Sequence, residues 1–315
     1  MIISGLFPGQ GSQSLGMLSE LGASFAVVGE TFQAASDVLG SNLWQLAQAG
    51  TEAELNSTEN TQPLMLAAGI AVWRVWLQQG GCQPVALAGH SLGEYSALVA
   101  AGVLDFAAAV SLVAERARLM QAAVGAGQSA MAAILGLEDT QVIAACAQAA
   151  QGDVVEAVNF NSPGQVVIAG SVAAVERALQ IANDMGAKKT VKLAVSVPSH
   201  CTLMQPAAEQ LASHLAASEF HLAKIPVLHN VDAAARDNAV AMRTALAQQL
   251  YRPVRWVETI QRLQSAYAVQ AMIEFGPGKV LAGLNKRIDR KLVSVCVHDN
   301  RTLEEALKLC EETSV

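Results

Sequence analysis

Short apolar runs of β character alternate with longer helical stretches along almost all of this 315-residue chain, and that alternation predicts a parallel sheet flanked by helices. Residues 2–7 read as a strand ending in the loop Pro8-Gly9-Gln10-Gly11-Ser12. Residues 61–79 read as a helix with Pro63 in its first turn, where a missing N–H is tolerated. Residues 85–88 form an apolar run that leads into Gly89-His90-Ser91-Leu92-Gly93, after which 94–101 is helical. Near the end, 271–275 is strand-like and is followed by Gly276-Pro277-Gly278.

The middle of the chain has its own order. Strands are expected at 131–135, 154–158, 165–169 and 190–195, helices at 139–150 and 172–185, and a turn at Asn161-Ser162-Pro163-Gly164. That sequence, β-α-β-β-α-β, is the ferredoxin-like arrangement. The expected organisation is an α/β, hydrolase-like large domain from 1–127 and 197–315, with a ferredoxin-like small domain inserted at 128–196. A cleft between two such units is a common place for a ligand.

Composition narrows the class. Hydrophobic residues are 52% and charged ones 15%, which supplies a deep core and argues against long disorder. The net charge of −7, with no block of like charge, argues against nucleic-acid binding. An acidic protein partner would need a local basic patch; Lys188, Lys189 and Lys192, and Lys279, Lys286, Arg287, Arg290 and Lys291 are candidates, each also readable as a solvated charge. The five cysteines, at 82, 146, 201, 296 and 310, are scattered and fit a reducing compartment better than a disulfide framework or a zinc site. The start lacks the basic flank of a signal peptide, and the apolar stretch 96–114 is broken by Asp105, so a cytoplasmic protein with no membrane span is expected.

Gly89-His90-Ser91-Leu92-Gly93 fits G-x-S-x-G between a strand and a helix. A tight strand-to-helix turn exposes the serine hydroxyl, and flanking glycines remove side chains that would collide there. The backbone N–H of Leu92 can then donate to a developing oxyanion. A serine needs a base, and there are six histidines. His90 adjoins the nucleophile and is expected to point elsewhere; His214 and His221 lie in polar surroundings; His298 is in a weakly patterned tail; His229 fits a strand end. His200 follows the point where the small domain hands back to the large one, from which a side chain can cross the cleft, although a lone histidine is also readable as structural. Cys201 points away from its neighbour and reads as a buried small residue. No acid between Ser91 and His200 stands out as an orienter, and a backbone carbonyl would suffice where the leaving group is an acidic thiol.

Residues 105–122 read as a helix with Asp105 at its N-cap. Leu112, Arg116 and Leu119 fall on one stripe, while Arg118 lies on the exposed side. An arginine on an apolar stripe either snorkels to water or meets an anion. In the second case its planar fork would grip a substrate carboxylate in two places.

Taken in order, residues 7–13 (FPGQGSQ), 89–94 (GHSLGE), Arg116, 159–164 (NFNSPG), 198–200 (PSH) and 276–278 (GPG) closely resemble the bacterial malonyl-CoA:acyl carrier protein transacylases of fatty acid synthesis over residues 1–290. The tail from Lys291 onward matches no motif of that family. The resemblance implies that Ser91 carries the acyl group, His200 is its base, and Arg116 pairs with the malonyl carboxylate. It further implies an oxyanion hole from the N–H groups of Gln10 and Leu92, and a backbone carbonyl at Gln249 holding the histidine. Asn159 and Asn161 would line the cleft. The implied partners are malonyl-CoA and an acyl carrier protein, with no metal or redox cofactor. The rivals are a serine esterase or thioesterase, a non-catalytic carrier-binding module, and a stand-alone acyltransferase for polyketide assembly or malonate decarboxylation.

Overall fold

Five parallel strands make the main sheet of the computed structural model, which describes residues 1–125, 127–195 and 197–311. They are β1 (Ile3–Phe7), β2 (Ala86–Gly89), β7 (Val227–Leu228), β8 (Ala271–Phe275) and β9 (Val293–Val297), in the order β7-β2-β1-β8-β9. β1, β2 and β8 are buried along their whole length, as a parallel sheet covered on both faces requires. Successive side chains feed opposite cores: Phe7, Leu87 and Ile273 pack on one side, Leu6, Ala88 and Met272 on the other. The first core is dominated by the helix Thr58–Gln78, whose Trp73 and Trp76 stack edgewise or tilted against Phe275, at centroid distances of 5.2 and 5.4 Å. That helix starts earlier than expected, so Pro63 lies inside it beyond the first turn. The preceding short helix Glu52–Asn56 carries a capping box of Thr51 and Glu54 and delivers the chain to Thr58 already turning.

A second sheet, antiparallel throughout, has the order β4-β5-β3-β6, from β3 (Ser129–Leu135), β4 (Val155–Ser162), β5 (Gln165–Ser171) and β6 (Lys189–Lys192). The helices Asp139–Ala150 and Val172–Asp184 cover one face through Val142, Cys146, Val175 and Ala178. On the other face Met131, Ala133, Val158 and Val167 close over Cys201, which brings the small sheet onto the segment carrying His200. β4 runs further than expected, through Asn161 and Ser162, leaving only Pro163 and Gly164 as the turn. The extension is held from outside: Val254 donates its N–H to Val158 O at 2.8 Å and accepts from Phe160 N–H at 3.0 Å. The boundary expected at residue 196 lies outside the described residues, as does the end of the chain at 312–315.

One expectation fails, and a segment that matched no motif proves to be structured. The tail beyond Lys291 is integral to the fold: β9 pairs with β8, and the helix Asn300–Glu311 packs behind it. Cys82 and Cys310 form a disulfide across 228 residues, against the expectation that the cysteines are unpaired. Cys82 follows the Thr58–Gln78 helix and Cys310 lies on the last helix, so the fold alone brings them together, which spacing cannot reveal. Among the described residues, no helix is long and apolar enough to cross a membrane.

Candidate active site

Ser91 sits where β2 turns into the helix Gly93–Ala100, with φ of 52°, a left-handed conformation that a serine adopts only under constraint. The glycines on either side make the turn possible. A Cβ at Gly89 would stand 1.9 Å from the carbonyl carbon of Gly93, and one at Gly93 would stand 2.0 Å from Phe7 O. Gly93→Ala is therefore expected to destabilise the protein by about 3 kcal/mol, because the obstacle is backbone that cannot step aside. Chemical denaturation of the variant measures this.

Asn230 fixes the turn from below: its Oδ1 accepts the Ser91 N–H at 2.7 Å and its Nδ2 donates to Gly89 O at 2.7 Å. The serine hydroxyl lies 2.8 Å from His200 Nε2. His200 Nδ1 donates to the backbone carbonyl of Gln249 at 2.7 Å. A carbonyl only accepts, so Nδ1 carries the proton and Nε2 presents its lone pair to Ser91. His200 is itself left-handed, with φ of 69°, and is buried. Burial, and then the positive charge of Arg116, push its pKa down from 6.5 to about 3. The imidazole is thus neutral at working pH and ready to take a proton.

Arg116 lies on the stripe expected for it, between buried Leu112 and Leu119 on the helix Phe106–Ala122, and is 0% exposed. It does not snorkel. Nη1 donates to Gln62 Oε1 at 2.5 Å and Nη2 to Gln249 Oε1 at 3.0 Å, and the guanidinium carbon lies 5.4 Å from the centre of the Tyr95 ring. Its Nε is buried without a hydrogen-bond partner in the protein. Arg118, by contrast, is exposed and forks onto Glu115.

Gln10, His90, Ser91, Asn159 and His200 line one cleft of about 110 Å³, together with residues of the small sheet. Gly9 brings the Gln10 loop against the turn, since a Cβ there would lie 2.4 Å from His90 O and 3.7 Å from Leu92 N. The N–H groups expected at an oxyanion hole, those of Gln10 and Leu92, therefore come from adjoining backbone. His90 turns away from Ser91: its Nε2 donates to Asn161 Oδ1 at 2.8 Å, and burial lowers its pKa. Asn159 Oδ1 is buried with no partner in the protein. His229 is withdrawn from the chemistry, bound to the buried Glu94 at 2.7 Å.

Four participants escaped the sequence reading: Gln62, Glu94, Asn230 and the side chain of Gln249. Gln62 and Glu94 carry a weak signal, each being a polar residue inside a helix whose neighbours are buried. Asn230 and the Gln249 carboxamide carry none, because they reach the site only through the fold.

Comparison with known proteins gives near full-length matches. The family described as "Acyl transferase domain" matches residues 6–297. The malonyl CoA-acyl carrier protein transacylase of Escherichia coli K12 is 52% identical over 304 residues, 96% of this chain and 98% of the relative. Its namesake in Bacillus subtilis is 42% identical over 311 residues, 98% of each. A solved acyl carrier protein S-malonyltransferase from Vibrio cholerae superposes with a TM-score of 0.94 at 55% identity, covering 97% of this chain and 99% of that one. A malonyl-transacylase solved with a type II polyketide acyl-carrier protein gives 0.97 at 52% identity, covering 98% and 100%. With its serine elbow, its paired histidine and near full-length likeness to these proteins, the chain belongs to the acyl transferase family, among the malonyl CoA-acyl carrier protein transacylases.

Proposed function

We propose that the protein moves a malonyl group from coenzyme A to the phosphopantetheine thiol of an acyl carrier protein through an ester on Ser91, supplying fatty acid synthesis. The observation that carries this reading is one continuous chain of contacts, Ser91 Oγ to His200 Nε2 and His200 Nδ1 to Gln249 O, beside a fully buried arginine. His200 removes the serine proton as Oγ attacks the thioester carbonyl. The N–H groups of Gln10 and Leu92 hold the oxyanion, and Arg116 holds the malonyl carboxylate. The carbon–sulfur bond breaks, and the coenzyme A thiol leaves with the proton from the imidazolium. The carrier thiol then attacks the Ser91 ester by the reverse path. Asn159 lines the cleft, whereas Asn161, expected there too, is not among its lining residues and instead holds His90 aside. One thioester replaces another, so these steps call on no metal or redox group.

A hydrolase would be served by an acidic orienter on His200, whereas here the orienter is a neutral carbonyl. The second reading worth keeping is supply of polyketide carriers, because one solved relative is a complex with such a carrier. The small unit, 128–196, is proposed as a ferredoxin-like domain, on the β-α-β-β-α-β order and the strand order β4-β5-β3-β6. The large domain is then 1–127 with 197–315. The cytoplasm is the proposed location, supported by the coenzyme A and carrier-protein substrates for which the relatives are named; the Cys82–Cys310 bond is the observation that runs against a reducing compartment.

The test is the intact mass of the protein after mixing with malonyl-CoA and no carrier. A gain of one malonyl group, mapped to the Ser91 peptide and discharged by holo-carrier, supports the transferase. Steady release of coenzyme A with no adduct supports the hydrolase. Comparing fatty-acid and polyketide carriers as acceptors separates the two supply roles.

A further inference from the structure

Glu94 lies on the helix that follows the nucleophile and is 0% exposed. One carboxylate oxygen accepts from His229 Nδ1 at 2.7 Å; the other accepts from the Asn230 N–H at 2.9 Å and from Gln249 Nε2 at 2.8 Å. A buried anion so placed is expensive to desolvate, and its partners show what it does. Asn230 is the residue that clamps the Ser91 turn. Gln249 is the residue whose backbone holds His200 and whose Oε1 holds Arg116.

A carboxamide has one accepting end and one donating end, and nothing in its own shape says which way it faces. Here the choice is forced. Glu94 Oε2, which already takes the Asn230 N–H, and Ser91 O both accept, so the NH₂ of Gln249 must face them, at 2.8 and 3.0 Å. The carbonyl end is then aimed at Arg116. The reversed amide would set oxygen against carboxylate and NH₂ against guanidinium, leaving buried groups unpaired at both ends. The spacing matters too. A direct Glu94–Arg116 pair would fill the arginine's fork, whereas the partners of its two terminal nitrogens are neutral amide oxygens. A substrate carboxylate can outbid a neutral oxygen for the fork, but not an internal carboxylate.

We propose that Glu94 is a positioning residue for substrate selection: it fixes the direction of the Gln249 carboxamide and, through it, keeps the Arg116 guanidinium in place and open to a substrate carboxylate. The inference rests on the reading of Arg116 given above.

The experiment compares acylation of the full-length enzyme by malonyl-CoA and acetyl-CoA. The variants are Glu94→Gln, Gln249→Met, the pair combined, and Arg116→Ala. The first two nearly preserve shape, and Gln249→Met keeps the backbone carbonyl that holds His200. A glutamine at 94 keeps an oxygen for the Asn230 N–H and the Gln249 NH₂ but loses the negative charge, so the charge-assisted hold on the carboxamide is gone. Glu94→Gln is expected to lower the malonyl-to-acetyl ratio roughly tenfold, seen as a raised KM for malonyl-CoA more than a lowered kcat. Gln249→Met lowers the ratio at least as far, and the double variant lowers it no further, because Glu94 acts through Gln249. A ratio within about twofold of the native one in Glu94→Gln overturns the proposal, as do independent, multiplying effects in the double variant. Equal slowing with both donors would mark Glu94 as merely structural and overturn it as well. If Arg116→Ala itself leaves the ratio unchanged, the reading of Arg116 fails first, and that failure is recognisable as a separate one.

Discussion

His200→Ala is expected to slow acylation of Ser91 by malonyl-CoA by about 10³–10⁴-fold with little change in KM, since the base acts in the bond-making step. Rapid-quench measurement of the acyl-enzyme reads it directly. The native pH dependence should carry the same signature. An ordinary histidine is half protonated near 6.5, and its loss of basicity would cut kcat/KM below neutrality. In this site burial and Arg116 hold the imidazole down to about 3, so kcat/KM should stay level from neutral pH to below pH 5. In Arg116→Ala the acid limb should move upward, since one of the two largest causes of the depression is gone. The linkage to stability has a definite sign. The unfolded chain takes up a proton near 6.5 that folded His200 refuses, so this group's contribution costs stability as pH falls through that range. A melting curve recorded beside each rate keeps the two effects apart.

The second large effect is on selection. Arg116→Ala should collapse the preference for malonyl over acetyl by about 10²–10³-fold, mostly through a slower reaction with malonyl-CoA. The reason is that the arginine is wholly buried with Nε unpaired and only neutral partners on its fork. On the proposed reading, the substrate carboxylate completes its hydrogen bonding, whereas an acetyl methyl leaves it incomplete. Lysine at this position should not restore the ratio, because a point charge cannot grip both carboxylate oxygens. Competition between the two donors, followed by the mass of the acyl-enzyme, gives the ratio in one sample.

Much of this was legible beforehand where local pattern and final structure share a cause. β8 and the helix Asp139–Ala150 fall on their expected residues, because burial on both faces or on one stripe writes itself into the chain. Ser91 was legible because the elbow is local, and Asp105 because a cap is local. What failed was decided at a distance. β7 has two residues and exists only because β2 offers it an edge. β4 reads past its expected end because β5 and, far along the chain, Val254 pair with it. β9 looked like an unpatterned tail because its alternation is weak and its partner β8 supplies the order. The polar ring around Ser91 is the extreme case: Glu94, Asn230 and Gln249 meet from three separate segments, and no spacing rule links them.

The attachment of β4 close to both His200 and Gln249 has a mechanical consequence. Glu156, on β4, accepts from the hydroxyl and the N–H of Thr202 at 2.6 and 3.2 Å, two positions beyond His200. Val254, five positions beyond Gln249, is laced to the same strand. A rocking motion of the small sheet would therefore carry the imidazole and the carbonyl that steadies it as one piece, with their mutual grip intact.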